Sequence, residues 1–181
     1  ICILIADDDI EDRMMMADAF AESHLANPLR FVEDGEQLMD YLYQRGSYAD
    51  PTSAPRPGLI LLDLNMPVLN GIEVIPVLKS EYPKLPVIIV TKYSDPKFIR
   101  ECLQVHNVSG YILKTSSLQE LTDGLHQVLQ GQIFMSKTLQ LYPKELVELE
   151  TESLFDETFQ AKYNLTRREQ EILGLIAQAK S

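Results

Sequence analysis

Short apolar runs rich in β-branched residues alternate along the chain with segments whose apolar residues recur at helical spacing. The runs are ICILIA (1–6), LRFV (29–32), LILL (59–62), VIIV (87–90) and GYIL (110–113), each of strand length and too short for a buried helix. Between them, Ile10, Met14, Ala17 and Ala21 form one helical stripe, and Leu118, Leu121, Leu125 and Val128 form another, so each segment is expected to lay one apolar face on a sheet. Helix starts carry their own signals: Asp34 with Gln37, Asn70 with Glu73 and Ser117 with Glu120 pair a cap with a third-position partner, and Asp95 precedes Pro96. Asp9 is expected to cap the first helix. The pattern predicts five strands alternating with five helices. Pro76, inside GIEVIPVLKSE, conflicts with a regular third helix at a cost of up to about 3 kcal/mol. The stretch GSYADPTSAPRPG (46–58) predicts a long exposed loop.

Runs that are apolar on both faces of a strand imply a parallel sheet covered by helices on each side. The expected fold is therefore α/β and flavodoxin-like, a doubly wound sheet of five parallel strands in the order 2-1-3-4-5. Ligands of such sheets bind outside the carboxyl ends of the strands. Asp7 and Asp8 follow the first run, Asp63 the third, Thr91 the fourth and Lys114 the fifth. Three carboxylates, a hydroxyl and an amine should gather at one edge.

Carboxylates about 4 Å apart repel by roughly 4 kcal/mol per pair at an effective dielectric near 20, so something must offset the repulsion. A hard divalent cation does so, and an all-oxygen ligand set suits Mg²⁺. Lys114 supplies a second positive charge. A carboxylate held beside a metal, a lysine and a hydroxyl can attack phosphorus and form an acyl phosphate, and Asp63, alone after the central run, is best placed to do so.

The blocks ILIADDD, LLDLNMPVLNG, VIIVTKYSD and GYILKTSS, in that order and spacing, resemble the four signature blocks of a bacterial response regulator receiver domain, CheY-like in fold. The resemblance implies Asp63 as phosphoacceptor, Asp7 and Asp8 as the acidic pair holding Mg²⁺ together with Asp63, Asn65 as donor of a backbone carbonyl to the metal, Thr91 as the switch hydroxyl, Lys114 as the phosphoryl-pairing amine and Tyr111 as the switch aromatic that turns inward. It also implies a sensor histidine kinase as phosphoryl donor, a homodimer on phosphorylation, and a phosphoacceptor switch rather than a turnover enzyme. Lys92 stands where the family usually has a small residue, Thr115 where many relatives have proline, and Tyr93 where the family tunes dephosphorylation. Two other readings compete. A phosphatase of the haloacid dehalogenase kind would need an aspartate two positions after the nucleophile, where this chain has Asn65; a pseudo-receiver would serve only as a protein-interaction scaffold.

At 181 residues and 45% hydrophobic composition, the chain can bury one full core with a surplus. The expected division is a receiver domain over 1–131, a linker over 132–164, and over 165–181 a first helix. That last segment, LTRREQEILGLIAQAKS, opens on a Thr166–Glu169 capping box and resembles the start of a LuxR-type helix-turn-helix of the NarL/FixJ subfamily, truncated before its recognition helix. Its stripe is expected to pack on another copy or to stay mobile. A net charge of −11 argues against this chain coating a polyphosphate, so DNA contact would need the missing part. Two cysteines are too few for a disulfide framework. No apolar run approaches the roughly 18 residues of a membrane span, which with no visible secretory signal gives a cytoplasmic expectation. His24, His106 and His126 lack metal-ligand spacing, and Met14, Met15 and Met16 are expected to pack in the core.

Overall fold

All five residues of β1 (Cys2–Ala6) are buried, as a strand covered on both faces requires. The computed structural model describes residues 1–22 and 26–139. After β1 come α1 (Ile10–Glu22), β2 (Leu29–Val32), α2 (Gly35–Tyr43), β3 (Pro57–Leu62), α3 (Gly71–Glu81), β4 (Val87–Thr91), α4 (Pro96–Arg100), β5 (Gly110–Leu113), α5 (Leu118–Leu129) and β6 (Phe134–Met135). The strands form one parallel sheet in the order β2-β1-β3-β4-β5-β6. The expected order is present, with a sixth strand added at the β5 edge. Two residues are too few to show a period of two, so β6 has no sequence signature.

Strand residues alternate between two cores. Leu4, Ile60, Leu62, Ile89 and Tyr111 pack with Leu38, Val74, Leu78 and Phe98 on one side. Ile3, Ile5, Leu59, Leu61 and Ile88 pack with Met16, Phe20, Leu125 and Val128 on the other. The α5 stripe is thus buried at Leu125 and Val128 and half-buried at Leu121. The α1 stripe is not the expected one. Met16 and Phe20 are buried, whereas Ile10, Met14 and Met15 are exposed. Polar contacts at the start of α1 fix its rotation: Asp9 caps the Glu11 amide at 2.9 Å, and Arg13 donates to the Asp7 carbonyl at 2.7 Å while pairing with Glu33 at 2.9 Å.

The helix α3 runs through Pro76. Buried Ile72, Val74, Ile75 and Leu78, at roughly 1.5–3 kcal/mol each, outweigh the local penalty. Its Asn70–Glu73 capping box is complete, and Asp34 caps α2 through the Gln37 amide at 2.7 Å. Ser117 caps α5, but Glu120 accepts from the Lys137 amide instead of closing the box, so that carboxylate ties down the segment after β6. The helix α4 passes into a π turn over Glu101–Val105. Within the 46–58 loop Ala54 is buried and the Pro55 carbonyl accepts from Tyr41 at 2.8 Å, so this loop is pinned to α2. Both cysteines are free and buried. Residue 24 and the residues after 139, with the expected linker and partial helix-turn-helix, lie outside the described residues. Among the described residues no helix is long and apolar enough to cross a membrane.

Candidate functional site

The carboxyl ends of β1, β3, β4 and β5 bring Asp7, Asp63, Thr91 and Lys114 to one rim of the sheet. Asp63 leaves β3 just after its amide donates to the Ala6 carbonyl at 2.9 Å, which sets it beside Asp7. The turn that follows is held tightly: a Cβ on Gly71 would collide with the Asp63 carbonyl oxygen and come within 2.9 Å of the Leu64 Cα. Asp63 Oδ1 accepts from the Leu64 amide at 2.6 Å and the Asn65 amide at 3.3 Å. Its Oδ2 accepts from Lys114 Nζ at 2.7 Å.

Lys114 Nζ also donates to Asp12 Oδ2 at 2.6 Å. It lies 2.7 Å from Asp7 Oδ2 as well, so this buried oxygen is held in an ion pair with the same ammonium. Asp7 and Asp63 are 1% and 5% exposed, whereas Asp8 is exposed on the rim. Burial raises the Asp7 carboxyl above the usual carboxylate range, with the Lys114 charge offsetting part of the effect. Burial also raises Asp8. Burial opposes ionisation of Asp12 as well, but the hydrogen bond and charge of Lys114, followed by Lys92, bring it below the usual range. For Lys114, burial favours the neutral amine, and bonds to Asp12, Asp63 and Asp7 overcome it, so the ammonium is held well above its ordinary range.

Oxygens of Asp7, Asp8 and Asp63 all lie within 4.8 Å of one another. Opposite ligands of an octahedral Mg²⁺ are about 4.2 Å apart at ~2.1 Å each, so the set fits a hard cation with little adjustment. Thr91 is buried at the end of β4, and its Oγ1 lies 3.5 Å from the Tyr93 amide. Tyr111 is fully buried, with its hydroxyl donating to the Tyr93 carbonyl at 2.9 Å. Its ring is thus already inside. The Tyr93 hydroxyl donates in turn to Asn65 Oδ1 at 3.3 Å, so Asn65 meets the β4–α4 loop as well as Asp63.

Sequence reasoning missed Asp12. The signal was present: Asp12, Met16 and Phe20 are spaced four apart, so the stripe that α1 buries begins with an acid at the rim of the sheet. Lys92 Nζ lies 3.5 Å from the same Asp12 oxygen.

A doubly wound sheet with an acidic trio, a hydroxyl and a lysine on its carboxyl rim defines the class of regulatory phosphoacceptor domains. The chain matches the response regulator receiver domain family over residues 3–126, and it belongs to that family. It is 31% identical to the response regulator Rcp1 of Synechocystis over 121 residues, 66% of this chain and 80% of that one. It is 32% identical to the transcriptional regulatory protein YhcZ of Bacillus subtilis over 126 residues, 70% of this chain and 56% of that one. The chain thus spans most of Rcp1 but only about half the length of the transcriptional regulators it matches. Among solved structures, the phosphorylated cyanobacterial phytochrome response regulator RcpA superposes with a TM-score of 0.58 at 32% identity, over 72% of this chain and 89% of that one.

Proposed function

We propose that this chain is the phosphorylatable switch of a two-component response regulator and that Asp63 is its phosphoacceptor. The observation that carries the reading is the sharing of one ammonium, Lys114, between Asp63 at 2.7 Å and neighbouring acids. In the proposed step an Asp63 oxygen bonds to phosphorus while the bond from phosphorus to an imidazole nitrogen of a sensor histidine kinase breaks. That nitrogen keeps the electron pair and takes up a proton. Asp7, Asp8 and Asp63, with the Asn65 backbone carbonyl, would hold Mg²⁺, which when bound neutralises charge on the transferring oxygens. Lys114 turns from the Asp63 oxygen towards a phosphoryl oxygen, and Thr91 offers its hydroxyl to another.

Thr91 and Tyr111 form the switch pair. Because the Tyr111 ring is already buried against the Tyr93 carbonyl, phosphorylation draws Thr91 and the 92–95 segment and holds this ring instead of recruiting it. The surface of α4, β5 and α5 then changes its self-association towards a homodimer, a two-state response to added charge. The relatives named as transcriptional regulators and the LTRREQEIL motif from Leu165 support a NarL/FixJ-type output, in which DNA is met through a helix-turn-helix whose first helix is 165–181. The reading carries with it a cytoplasmic location, where two-component phosphotransfer takes place.

Incubation with Mg²⁺ and a small phosphodonor, followed by a phosphate-affinity gel, tests the proposal. Stable labelling of the wild type and none of Asp63→Asn is the expected result. Multiple turnovers of released phosphate would point to a phosphatase, and no labelling would point to a scaffold.

A further inference from the structure

We propose that Asp12, which lies outside the strand-end set, is a positioning residue of the phosphoacceptor site: its carboxylate holds the Lys114 ammonium from α1 while Asp63 holds it from β3. The inference rests on the reading of Asp63 as acceptor and adds a residue to it. An ammonium has three protons and aims them at specific oxygens. Here the directed hydrogen bonds go to Asp12 Oδ2 at 2.6 Å and Asp63 Oδ2 at 2.7 Å. Asp7 Oδ2, 2.7 Å away, is the third oxygen around it. The direction of the amine is therefore set by three carboxylates, and Asp12 is the one that belongs neither to the acceptor nor to the acidic trio.

Asp12 is itself fixed. Its side chain is 15% exposed, its amide is 3.4 Å from the capping Asp9 carboxylate, and the neighbouring Arg13 locks α1 to the Asp7 carbonyl. Lys92 adds a contact at 3.5 Å, but its side chain is 66% exposed, and exposed pairs hold weakly. Lys114 is the partner that Asp12 holds. As a bond forms between Asp63 and phosphorus, Lys114 must leave the Asp63 oxygen for a phosphoryl oxygen. Asp12 takes no part in that chemistry and so serves as the fixed post about which the amine turns. Without it, the remaining anchors are Asp63 and Asp7, both required elsewhere. Loss of Asp12 should slow the transfer step more than it weakens association with the donor.

The test uses the full chain with Mg²⁺ and phosphoramidate, following the initial rate of Asp63 labelling by intact mass across donor concentrations. Asp12→Asn is expected to lower the maximal rate about tenfold, the scale of one hydrogen bond to a charged group. Its half-saturating donor concentration should stay within about twofold of wild type. Asp12→Glu, which keeps the charge on a longer arm, should recover part of the rate. If Asp12→Asn fails to fold, Asp12→Ser carries the same expectation. An unchanged maximal rate in the variant, or a loss confined to the half-saturating concentration, overturns the proposal while leaving the acceptor reading intact. Equal labelling of wild type and Asp63→Asn would overturn the acceptor reading, and this inference with it.

Discussion

Replacing Lys114 with methionine keeps the length of the side chain and removes a cation that contacts Asp7, Asp12 and Asp63 together. At the 4.8 Å limit of their separation, two of the trio's carboxylates repel by about 3.5 kcal/mol at an effective dielectric near 20. Partial protonation and water entry relieve some of this, and removing one partner of a buried pair costs about 3–5 kcal/mol. Lys114→Met should therefore lose about 3 kcal/mol of stability at pH 7 without divalent cations, read from urea unfolding followed by far-ultraviolet circular dichroism. The pH dependence has a definite sign. A carboxylate whose folded pKa is raised, as for Asp7 and Asp8, binds its proton more readily in the folded state, so stability falls as pH rises from the unfolded value through the folded one. Without Lys114 these acids rise further, so the deficit should be full at pH 7 and should shrink below about pH 4, near their unfolded values. The raised Lys114 pKa works the other way: its stabilisation is present below the unfolded lysine value and disappears only in strong alkali. Mg²⁺ at about 30 times its dissociation constant should return about 2 kcal/mol to the variant. A loss under about 1 kcal/mol at pH 7, or one that persists undiminished in acid, would refute a shared, buried ion cluster.

Three further outcomes follow from the same geometry. Val68 has φ of 65°, a conformation a β-branched residue adopts only under strain, so Val68→Gly should raise stability by about 1 kcal/mol in urea unfolding. Gly71→Ala forces a methyl group into the Asp63 carbonyl and should cost more than about 2 kcal/mol, with weakened divalent binding in calorimetry because the Asp63 turn must move. Asp8→Asn removes an exposed ligand charge and should weaken Mg²⁺ binding at least about tenfold, the equivalent of ~1.4 kcal/mol, with little change in unfolding free energy in the absence of divalent cations.

The strands and their order were legible because a doubly covered parallel strand needs apolar side chains on both faces, and five runs supply them. The helix caps were legible for a similar reason, since an exposed helix end must find a side-chain partner and few residue types can provide one. Rotation of a helix is a weaker signal. On α1 both Ile10–Met14 and Met16–Phe20 are apolar at helical spacing, and the choice between them falls to Asp9, Asp12 and Arg13, whose partners lie on other elements. Lys114, the main partner of Asp12, is 102 positions away. The inward Tyr111 was illegible as well, because a buried strand aromatic reads the same whichever backbone carbonyl its hydroxyl reaches. The short strand β6 depends on the Phe134 and Ser136 amides reaching Ser109 and Tyr111 carbonyls, which no periodicity announces.

The proposed switch turns on which carboxylate takes the phosphate. Phosphoramidate labelling in Mg²⁺, trapping of the acyl phosphate with borohydride and peptide mass spectrometry would locate it. Reduction of residue 63 to homoserine, dependent on both Mg²⁺ and Lys114, is the expected result. Homoserine at residue 7, 8 or 12 in place of residue 63, or a modification that forms equally well without Mg²⁺, would contradict the assignment.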